Sequence, residues 1–256
     1  MFRPIVKSCT KRSLTQKPSD GMQLAKPDEV FGVVEFQATA DGSSTLYLPL
    51  LDEHYHSIHG ALTESMHVFI NAGLCDYDET DEISVLEVGM GTGLNVLLTI
   101  LSRRPGQKIR YHAIEKYPIP VELSSKLACR DDNERRILDK IHALPWEKQQ
   151  NLDENFELLK TCADIHTAEL QRYDLVYFDA FAPEKQPDMW SPSVFRKIYE
   201  AMNGGGVLVT YCSKGSAKQT MRDAGFCVKR LAGPPHKHHM VRATKNGLFC
   251  DGDLEK

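Results

Sequence analysis

The residues best suited to chemistry lie in a glycine-rich stretch, residues 86–95, that reads Leu-Glu-Val-Gly-Met-Gly-Thr-Gly-Leu-Asn. Its three alternating glycines would let a ligand touch the backbone where a strand turns into a helix. The dinucleotide pattern G-x-G-x-x-G is not met, because the third glycine comes one residue early. Glu87 adds a carboxylate two residues before the first glycine, which suits the cationic end of a ligand better than a pyrophosphate. The stretch therefore predicts a nucleotide-like cofactor with a positively charged end.

Two further acids follow the next predicted strands. Glu115 comes 22 residues after Gly93, at the carboxyl end of a strand. An acid at this distance is placed to bond ribose hydroxyls, which also fits a nicotinamide dinucleotide. Asp164 lies just beyond the third strand, where we expect it to meet an adenine amino group.

A third acid, Asp179, ends the most apolar predicted strand, Asp174–Phe178. Ligands of doubly wound sheets bind at such carboxyl ends. Its neighbours Phe181 and Pro183 are apolar, and we therefore expect a general base with a raised pKa. Trp190, at the end of the same loop, either stacks on a nucleobase or packs the loop.

The combination of these motifs resembles one known family. D-A-F-A-P followed by P-D-M-W-S, together with E-V-G-M-G-T-G-L-N, resembles the methyltransferase domain of the tRNA 5-methylaminomethyl-2-thiouridine biosynthesis proteins (MnmC). Upstream, Tyr55-His56-Ser57 and Gly60-Ala61-Leu62 are similar to that family, as is Gly233-Pro234-Pro235 downstream. The resemblance extends from about Thr39 to Thr244.

The resemblance implies transfer of a methyl group from S-adenosyl-L-methionine to the amine of 5-aminomethyl-(2-thio)uridine at the tRNA wobble position. It implies that Asp179 faces the acceptor amine. The residues it assigns to the cofactor are Glu87, Gly89, Gly91, Gly93, Glu115, Gly60 and Glu64. Because the chain ends at Lys256 without a second glycine pattern, we expect no FAD-dependent oxidase activity and a separate enzyme that makes the aminomethyl group.

Strands and helices alternate from Ile83 onward, which predicts a Rossmann-like α/β fold of the class I S-adenosylmethionine-dependent methyltransferases, with a mostly parallel sheet. We expect one domain over residues 31–256, with a small N-terminal β/α segment at 31–80 and the core at 83–245. Helical spacing of apolar residues predicts a helix over Asp52–Leu74 and another over Leu94–Ser102. Gly204–Gly206 are expected to end a helix, and Cys129–Asn155 to form an insertion over the sheet edge.

The charge is unevenly distributed. The net charge of −4 excludes a uniformly basic nucleic-acid coat, but the segment from Gly204 to Lys245 has a net charge of +7. Its basic residues are Lys214, Lys218, Arg222, Lys229, Arg230, Lys237, Arg242 and Lys245. This segment predicts a face that contacts the tRNA backbone, or else a solvated basic surface without a partner.

The remaining signals are weaker. The 7 cysteines form no C-x-x-C pair, and His54, His56 and His59 lack the spacing of a helical ligand pair, so no metal site is expected. His236, His238 and His239 are expected to add pH-dependent positive charge. Residues 1–30 are basic near the start, which indicates a disordered extension or a transit peptide. The expected location is cytoplasmic in the first case and organellar in the second.

Two other functions fit parts of the pattern. An aminopropyltransferase of the spermidine-synthase type has a similar fold, but it would need a second acid shortly after Asp179, where residues 180–183 are Ala-Phe-Ala-Pro. A non-catalytic RNA-binding protein could have the same fold. Retention of Glu87, Glu115 and Asp179 argues against that interpretation.

Overall fold

The computed structural model describes residues 33–246, so the expectations for residues 1–30 lie outside the described part of the chain. An eight-stranded sheet forms the centre of the fold. Its strands are β4 (Glu82–Val88), β5 (Lys108–Glu115), β6 (Gln150–Asp153), β7 (Phe156–Cys162), β8 (Tyr173–Phe178), β9 (Met202–Thr210), β10 (Phe226–Ala232) and β11 (His239–Lys245). A separate three-stranded antiparallel sheet precedes it, with β1 (Glu35–Ala38), β2 (Ser44–Leu48) and β3 (Glu53–His54).

The strand order in the large sheet is β10-β11-β9-β8-β4-β5-β7-β6. The five central strands from β9 to β7 are parallel, while β6, β10 and β11 pair antiparallel at the two edges. The predicted mostly parallel sheet with a small N-terminal β/α segment is confirmed. The chain leaves β4 towards β5 on one side and returns to β8 on the other, so the carboxyl end of β4 is a topological switch point where ligands bind in such sheets.

Helices cover both faces of this sheet. They are α1 (Ala61–Ser65), which continues as π-helical turns over Met66–Asn71, then α2 (Leu94–Ser102), α3 (Val121–Ser124), α4 (Asp132–Ala143), α5 (Pro192–Ala201) and α6 (Gly215–Asp223). Buried side chains of α1, α2 and α4 join one face, and those of α5 and α6 join the other. Because both faces are covered, β8 at the centre of the sheet is apolar over most of its length. Between residues 33 and 246 no helix is long and apolar enough to cross a membrane.

Three local predictions differ from the structure. The helix expected over Asp52–Leu74 begins only at Ala61, because the chain before it forms β3 and turns at Gly60. Gly204–Gly206 do not end a helix but lie within β9, where the pairing with β8 shifts register. In the segment Cys129–Asn155, only β6 lies at the sheet edge, whereas α4 packs beside α2 on one face.

Candidate active site

Two cavities meet at the carboxyl ends of the central strands. The first lies between the glycine loop that follows β4 and the loops after β5 and β7. The second lies between the chain around β3, α1 and the loop that joins β10 to β11. Both are lined by Tyr55, His56, Asp179 and Phe181, and the rings of Tyr55 and Phe181 meet edge to face at 5.2 Å. Asp179 is therefore accessible to ligands in either cavity.

The glycine loop packs too tightly for other residues at two positions. A Cβ on Gly89, whose φ is +90°, would lie 2.6 Å from the Asp179 carbonyl oxygen. A Cβ on Gly91, whose φ is +50°, would lie 2.8 Å from Cδ1 of Tyr55. Both glycines line the first cavity, while Gly93 takes a left-handed conformation behind it and begins α2. The loop thus presents bare backbone to the cavity, as the sequence predicts.

Thr92 anchors the back of the loop. Its hydroxyl is 3.0 Å from Nε2 of His56, and its carbonyl oxygen accepts from Nε2 of His142 at 2.9 Å. Burial lowers the pKa of each of these histidines to about 4. Both rings are neutral at pH 7, so they support the loop without adding charge to the site.

Glu115 lies at the end of β5 and lines the first cavity. Its carboxylate accepts from the backbone N–H of Gly91 at 3.0 Å and from that of Tyr117 at 2.8 Å. Burial raises its pKa, and these backbone hydrogen bonds oppose the rise. A carboxylate has about four acceptor sites, so Glu115 keeps capacity for ligand hydroxyls.

Asp164 lines the same cavity, beyond the end of β7. Partial burial raises its pKa, but hydrogen bonds from the backbone N–H of His166 at 2.9 Å and from Nζ of Lys116 at 2.9 Å outweigh burial and leave the pKa below its usual range. Asp164 is therefore ionised at neutral pH and acts as an acceptor at the far end of the cavity from Asp179.

Glu87 lies behind the cavity wall, which differs from the direct ligand contact that the sequence predicts. It is fully buried, and its two oxygens accept from Nδ2 of Asn95 at 2.9 Å and from the Tyr111 hydroxyl at 3.0 Å. Burial raises its pKa well above the usual range. Sequence analysis did not single out Asn95, although it ends the glycine-rich motif.

Asp179 is partly covered at the junction of the cavities. Burial raises its pKa to about 7, opposed by a 2.9 Å hydrogen bond from Nδ2 of Asn95, while the nearby charge of Glu64 adds to the rise and that of Lys237 opposes it. Such a carboxyl is half ionised near neutral pH, which suits proton exchange with a ligand.

The raised pKa of Asp179 predicts a pH-dependent cost in stability. The folded state binds the Asp179 proton more tightly than the unfolded state does. The contribution of this carboxyl to the free energy of unfolding is therefore fully present below about pH 4 and is lost as pH rises to about 7. We expect Asp179→Asn to raise the free energy of unfolding at pH 8 by about 2–4 kcal/mol, and to change it little at pH 4. Urea unfolding at both pH values measures this difference. An equal effect at both values would contradict the assignment.

The second cavity contains a half-buried ion pair. Nζ of Lys237 pairs with Oε1 of Glu64 and lies 4.4 Å from the centre of the Tyr211 ring. The other oxygen of Glu64, Oε2, is buried and has no hydrogen-bond partner in the described part of the chain. The structure thus brings Glu64 to the second cavity rather than to the first, and it turns Lys237 inward rather than to an outer basic face.

Gly60 lines neither cavity. A Cβ on this residue, whose φ is +143°, would lie 2.6 Å from Oδ2 of Asp41. That carboxylate oxygen accepts from the backbone and hydroxyl of Thr63. Gly60 therefore lets the Asp41 side chain hold the first turn of α1, the helix that carries Glu64.

Trp190 packs the loop and does not offer a stacking surface. Only 5% of the residue is exposed, its ring meets those of Phe178 and Phe195, and its Nε1 donates to the Phe181 carbonyl at 2.8 Å. Of the two interpretations that the sequence left open, the structure supports packing. The contact also fixes Phe181 beside Asp179.

The histidines near β3 have separate partners. His54 contacts Gln37, His56 contacts Thr92, and the ring of His59 stacks on that of His236 at 4.5 Å. Across residues 33–246, no group of three or more His, Cys, Asp or Glu side chains is arranged to hold a metal ion.

Ion pairs within residues 33–246 join basic residues of the Gly204–Lys245 segment to acids from other segments. Lys214 pairs with Glu184, Lys237 with Glu64 and Arg242 with Asp76. Lys229 and Arg230 are exposed on β10, the edge strand at this end of the sheet. The net positive charge of this face is therefore lower than the segment's sequence indicates.

Comparisons with known proteins agree on one family. A model described as S-adenosyl-L-methionine-dependent methyltransferase matches residues 135–246. The chain is 28% identical over 217 residues to the tRNA 5-methylaminomethyl-2-thiouridine biosynthesis bifunctional protein MnmC of Burkholderia thailandensis, a match that covers 77% of this chain and 33% of that protein. The MnmC protein of Chromohalobacter salexigens is 29% identical, with coverage of 78% and 31%. The chain thus spans about a third of the length of these relatives.

A solved structure supports the same relationship. The crystal structure of MnmC2 from Aquifex aeolicus matches with a TM-score of 0.73 and 26% identity, over 84% of this chain and 71% of that one. The groups that line the first cavity are compatible with S-adenosyl-L-methionine: bare backbone at Gly89 and Gly91, and the acceptor carboxylates of Glu115 and Asp164. The chain is therefore homologous to the methyltransferase region of the MnmC proteins and has the fold of S-adenosyl-L-methionine-dependent methyltransferases.

Proposed function

We propose that this protein methylates the amine of 5-aminomethyl-(2-thio)uridine at the wobble position of tRNA. The observation that carries the proposal is the meeting of two cavities at Asp179, one with the features of a cofactor site and one free for an acceptor. The name of the MnmC relatives supports the choice of tRNA as the substrate.

The chemistry of the acceptor explains why an acid is needed at this junction. An alkylamine near pH 7 is mostly protonated and then has no lone pair for attack. S-adenosyl-L-methionine, when bound, supplies an electrophilic methyl group on a sulfonium sulfur. Asp179 would hold the aminomethyl group and accept its proton, which leaves the nitrogen free to attack. Because its pKa is raised to about 7, the carboxylate is basic enough to take part at neutral pH.

The second cavity offers further groups for the acceptor. Oε2 of Glu64, which has no partner within residues 33–246, is an acceptor for an ammonium N–H, and Phe181 and Tyr55 offer flat apolar surfaces for a nucleobase. Aromatic side chains commonly stack on unpaired bases of RNA. Most of the acceleration would come from alignment, since holding two reactants in line can supply roughly 7–11 kcal/mol.

Calorimetry separates the proposed function from the alternatives. We expect S-adenosyl-L-methionine to bind the wild-type protein more tightly than decarboxylated S-adenosylmethionine does. Tighter binding of the decarboxylated compound would favour aminopropyl transfer. An absence of binding for both would favour a non-catalytic RNA-binding protein.

The basic edge of the sheet is the proposed contact with tRNA phosphates. Replacing Lys229 and Arg230 together by Glu is expected to weaken tRNA binding at least about tenfold and to reduce its salt dependence, because phosphate contacts release counterions. The matched control reverses Arg136 on α4 and Lys148 just before β6, both of which are exposed and lie on elements other than β10. Filter binding over a salt series measures both variants. Equal weakening in both, or binding that is independent of salt, would contradict this contact.

A further inference from the structure

The side chain of Asn95 lies between the two acids of the site. Its Nδ2 is 2.9 Å from Oε1 of Glu87 and 2.9 Å from Oδ2 of Asp179. Asn95 is only 2% exposed, and Glu87 is fully buried. The first residues of α2 and the ends of β4 and β8 are thus joined by one amide group.

Both hydrogen bonds of the Asn95 side-chain amide are donated by Nδ2, one to each of the two carboxyls. An amide nitrogen has two hydrogens, and each of them points to one acid. The amide oxygen is buried and has no partner in the described part of the chain. The Tyr111 hydroxyl also holds Glu87, whereas Asn95 supplies the one hydrogen bond recorded to the Asp179 carboxyl within residues 33–246.

We propose that Asn95 is a positioning residue for methyl transfer, whose amide fixes the Asp179 carboxyl at the junction of the cavities and stabilises its ionised form. This proposal rests on the proposed function, in which Asp179 accepts the proton of the amine. Because the amide is uncharged, it offers the same two donors at every pH. It therefore stabilises the carboxylate form of Asp179 without competing for the proton.

Several other groups act on Asp179 from neighbouring elements. Glu64 on α1 disfavours its charge, and Lys237 in the loop between β10 and β11 favours it. Tyr211, after β9, donates its hydroxyl hydrogen to the Ala180 carbonyl. Glu87 on β4 shares the amide, and His56 is neutral. Within residues 33–246 none of these groups donates a hydrogen bond to the Asp179 carboxyl, so loss of Asn95 would leave this partly covered charge without a protein donor.

The test compares two variants over a pH series, with single-turnover methylation measured at saturating cofactor. Asn95→Leu keeps the side-chain size and removes both donors. We expect its rate–pH midpoint to move at least about one unit to higher pH, with a rate at pH 7 about 10–100-fold below wild type and a smaller gap near pH 9. Tyr111→Phe, the matched control, removes the bond to Glu87 and leaves the bond from Asn95 to Asp179 in place, so it should keep the wild-type midpoint. The proposal would be overturned by a loss in Asn95→Leu that is equal at every pH, or by the same shift in Tyr111→Phe.

A second measurement needs neither turnover nor the Leu variant. The side-chain amide resonances of Asn95 in the wild-type protein should titrate by NMR with a midpoint near pH 7, where the Asp179 carboxyl with its pKa of about 7 loses its proton, and this step should vanish in Asp179→Asn. Resonances that do not change between about pH 5 and pH 9 would overturn the proposal. A wild-type protein that shows the titration but methylates no tRNA would instead overturn the proposed function.

Discussion

Replacing Asp179 by Asn is expected to slow methyl transfer about 10²–10⁴-fold at pH 7, the usual contribution of a general base. Asn has the same shape and can still accept the hydrogen bond from Asn95, but it cannot take a proton at neutral pH. Because the amine then loses its proton only to water, the rate should recover partly as pH approaches the pKa of the amine. Single-turnover assays with cofactor and tRNA from about pH 6 to pH 9 measure this effect.

Asp188 provides the matched control for this substitution. It lies in the same loop as Asp179 but is exposed. We expect Asp188→Asn to retain the wild-type rate, and both variants to bind S-adenosyl-L-methionine with unchanged affinity. If Asp179→Asn methylates at the wild-type rate across this pH range, Asp179 is not the base, and the acceleration comes only from alignment of the amine with the methyl donor.

Replacing Gly91 by Ala is expected to weaken binding of S-adenosyl-L-methionine about 10–100-fold. The backbone at Gly91 has a φ of +50°, and a Cβ there would lie 2.8 Å from the ring of Tyr55. Strained backbone of this kind costs about 1–3 kcal/mol, and either the loop or the Tyr55 ring, which also lines the cavity, must shift to make room. The hydrogen bond from the Gly91 N–H to Glu115 would then be disturbed as well. Calorimetry with the cofactor measures the loss.

The variant Gly106→Ala is the control that distinguishes the cost of backbone strain from a direct effect on the cofactor site. The φ of Gly106 is +83°, the residue is exposed, and a Cβ there would meet no atom within 4 Å. Gly106→Ala should therefore lower stability to a similar degree while leaving cofactor affinity intact. If both alanine variants bind the cofactor as the wild type does, the glycine loop does not form the cofactor site.

Much of the fold follows from local patterns in the sequence. The apolar strands and the glycines around them predict a mostly parallel sheet, and the predicted helix Leu94–Ser102 matches α2 at both ends. The carboxyl ends of parallel strands meet at one edge of the sheet, which is why Glu115, Asp164 and Asp179 could be expected in one place. All three line the first cavity.

The details that could not be predicted depend on contacts between distant segments. β4 is buried on both faces around Glu87, where both sequence neighbours are apolar, so the sequence does not show that Glu87 faces Tyr111 and α2 rather than the cavity. The bond from Asn95 to Asp179 joins residues 84 positions apart. The only sign of this bond in the local sequence is that the second residue of α2 is an asparagine among apolar residues.

The charge of the basic segment was overestimated for a similar reason. A count along the chain includes only neighbours in sequence, and Asp223 is the one acid between Gly204 and Lys245. In the fold, Glu64, Asp76 and Glu184 approach from other segments and pair with three of the basic residues. The exposed pair Lys229 and Arg230 on β10 is what supports a contact with tRNA.

The most direct test of the proposed function is the conversion of the wobble nucleoside itself. Purified protein would be incubated with S-adenosyl-L-methionine and tRNA that carries 5-aminomethyl-2-thiouridine, and the digested nucleosides would be analysed by mass spectrometry. We predict that this nucleoside gains one methyl group on its amine, that tRNA without the aminomethyl group stays unchanged, and that Asp179→Asn converts little of the substrate. Methylation at any other nucleoside, or no methylation while the cofactor is bound, would contradict the assignment.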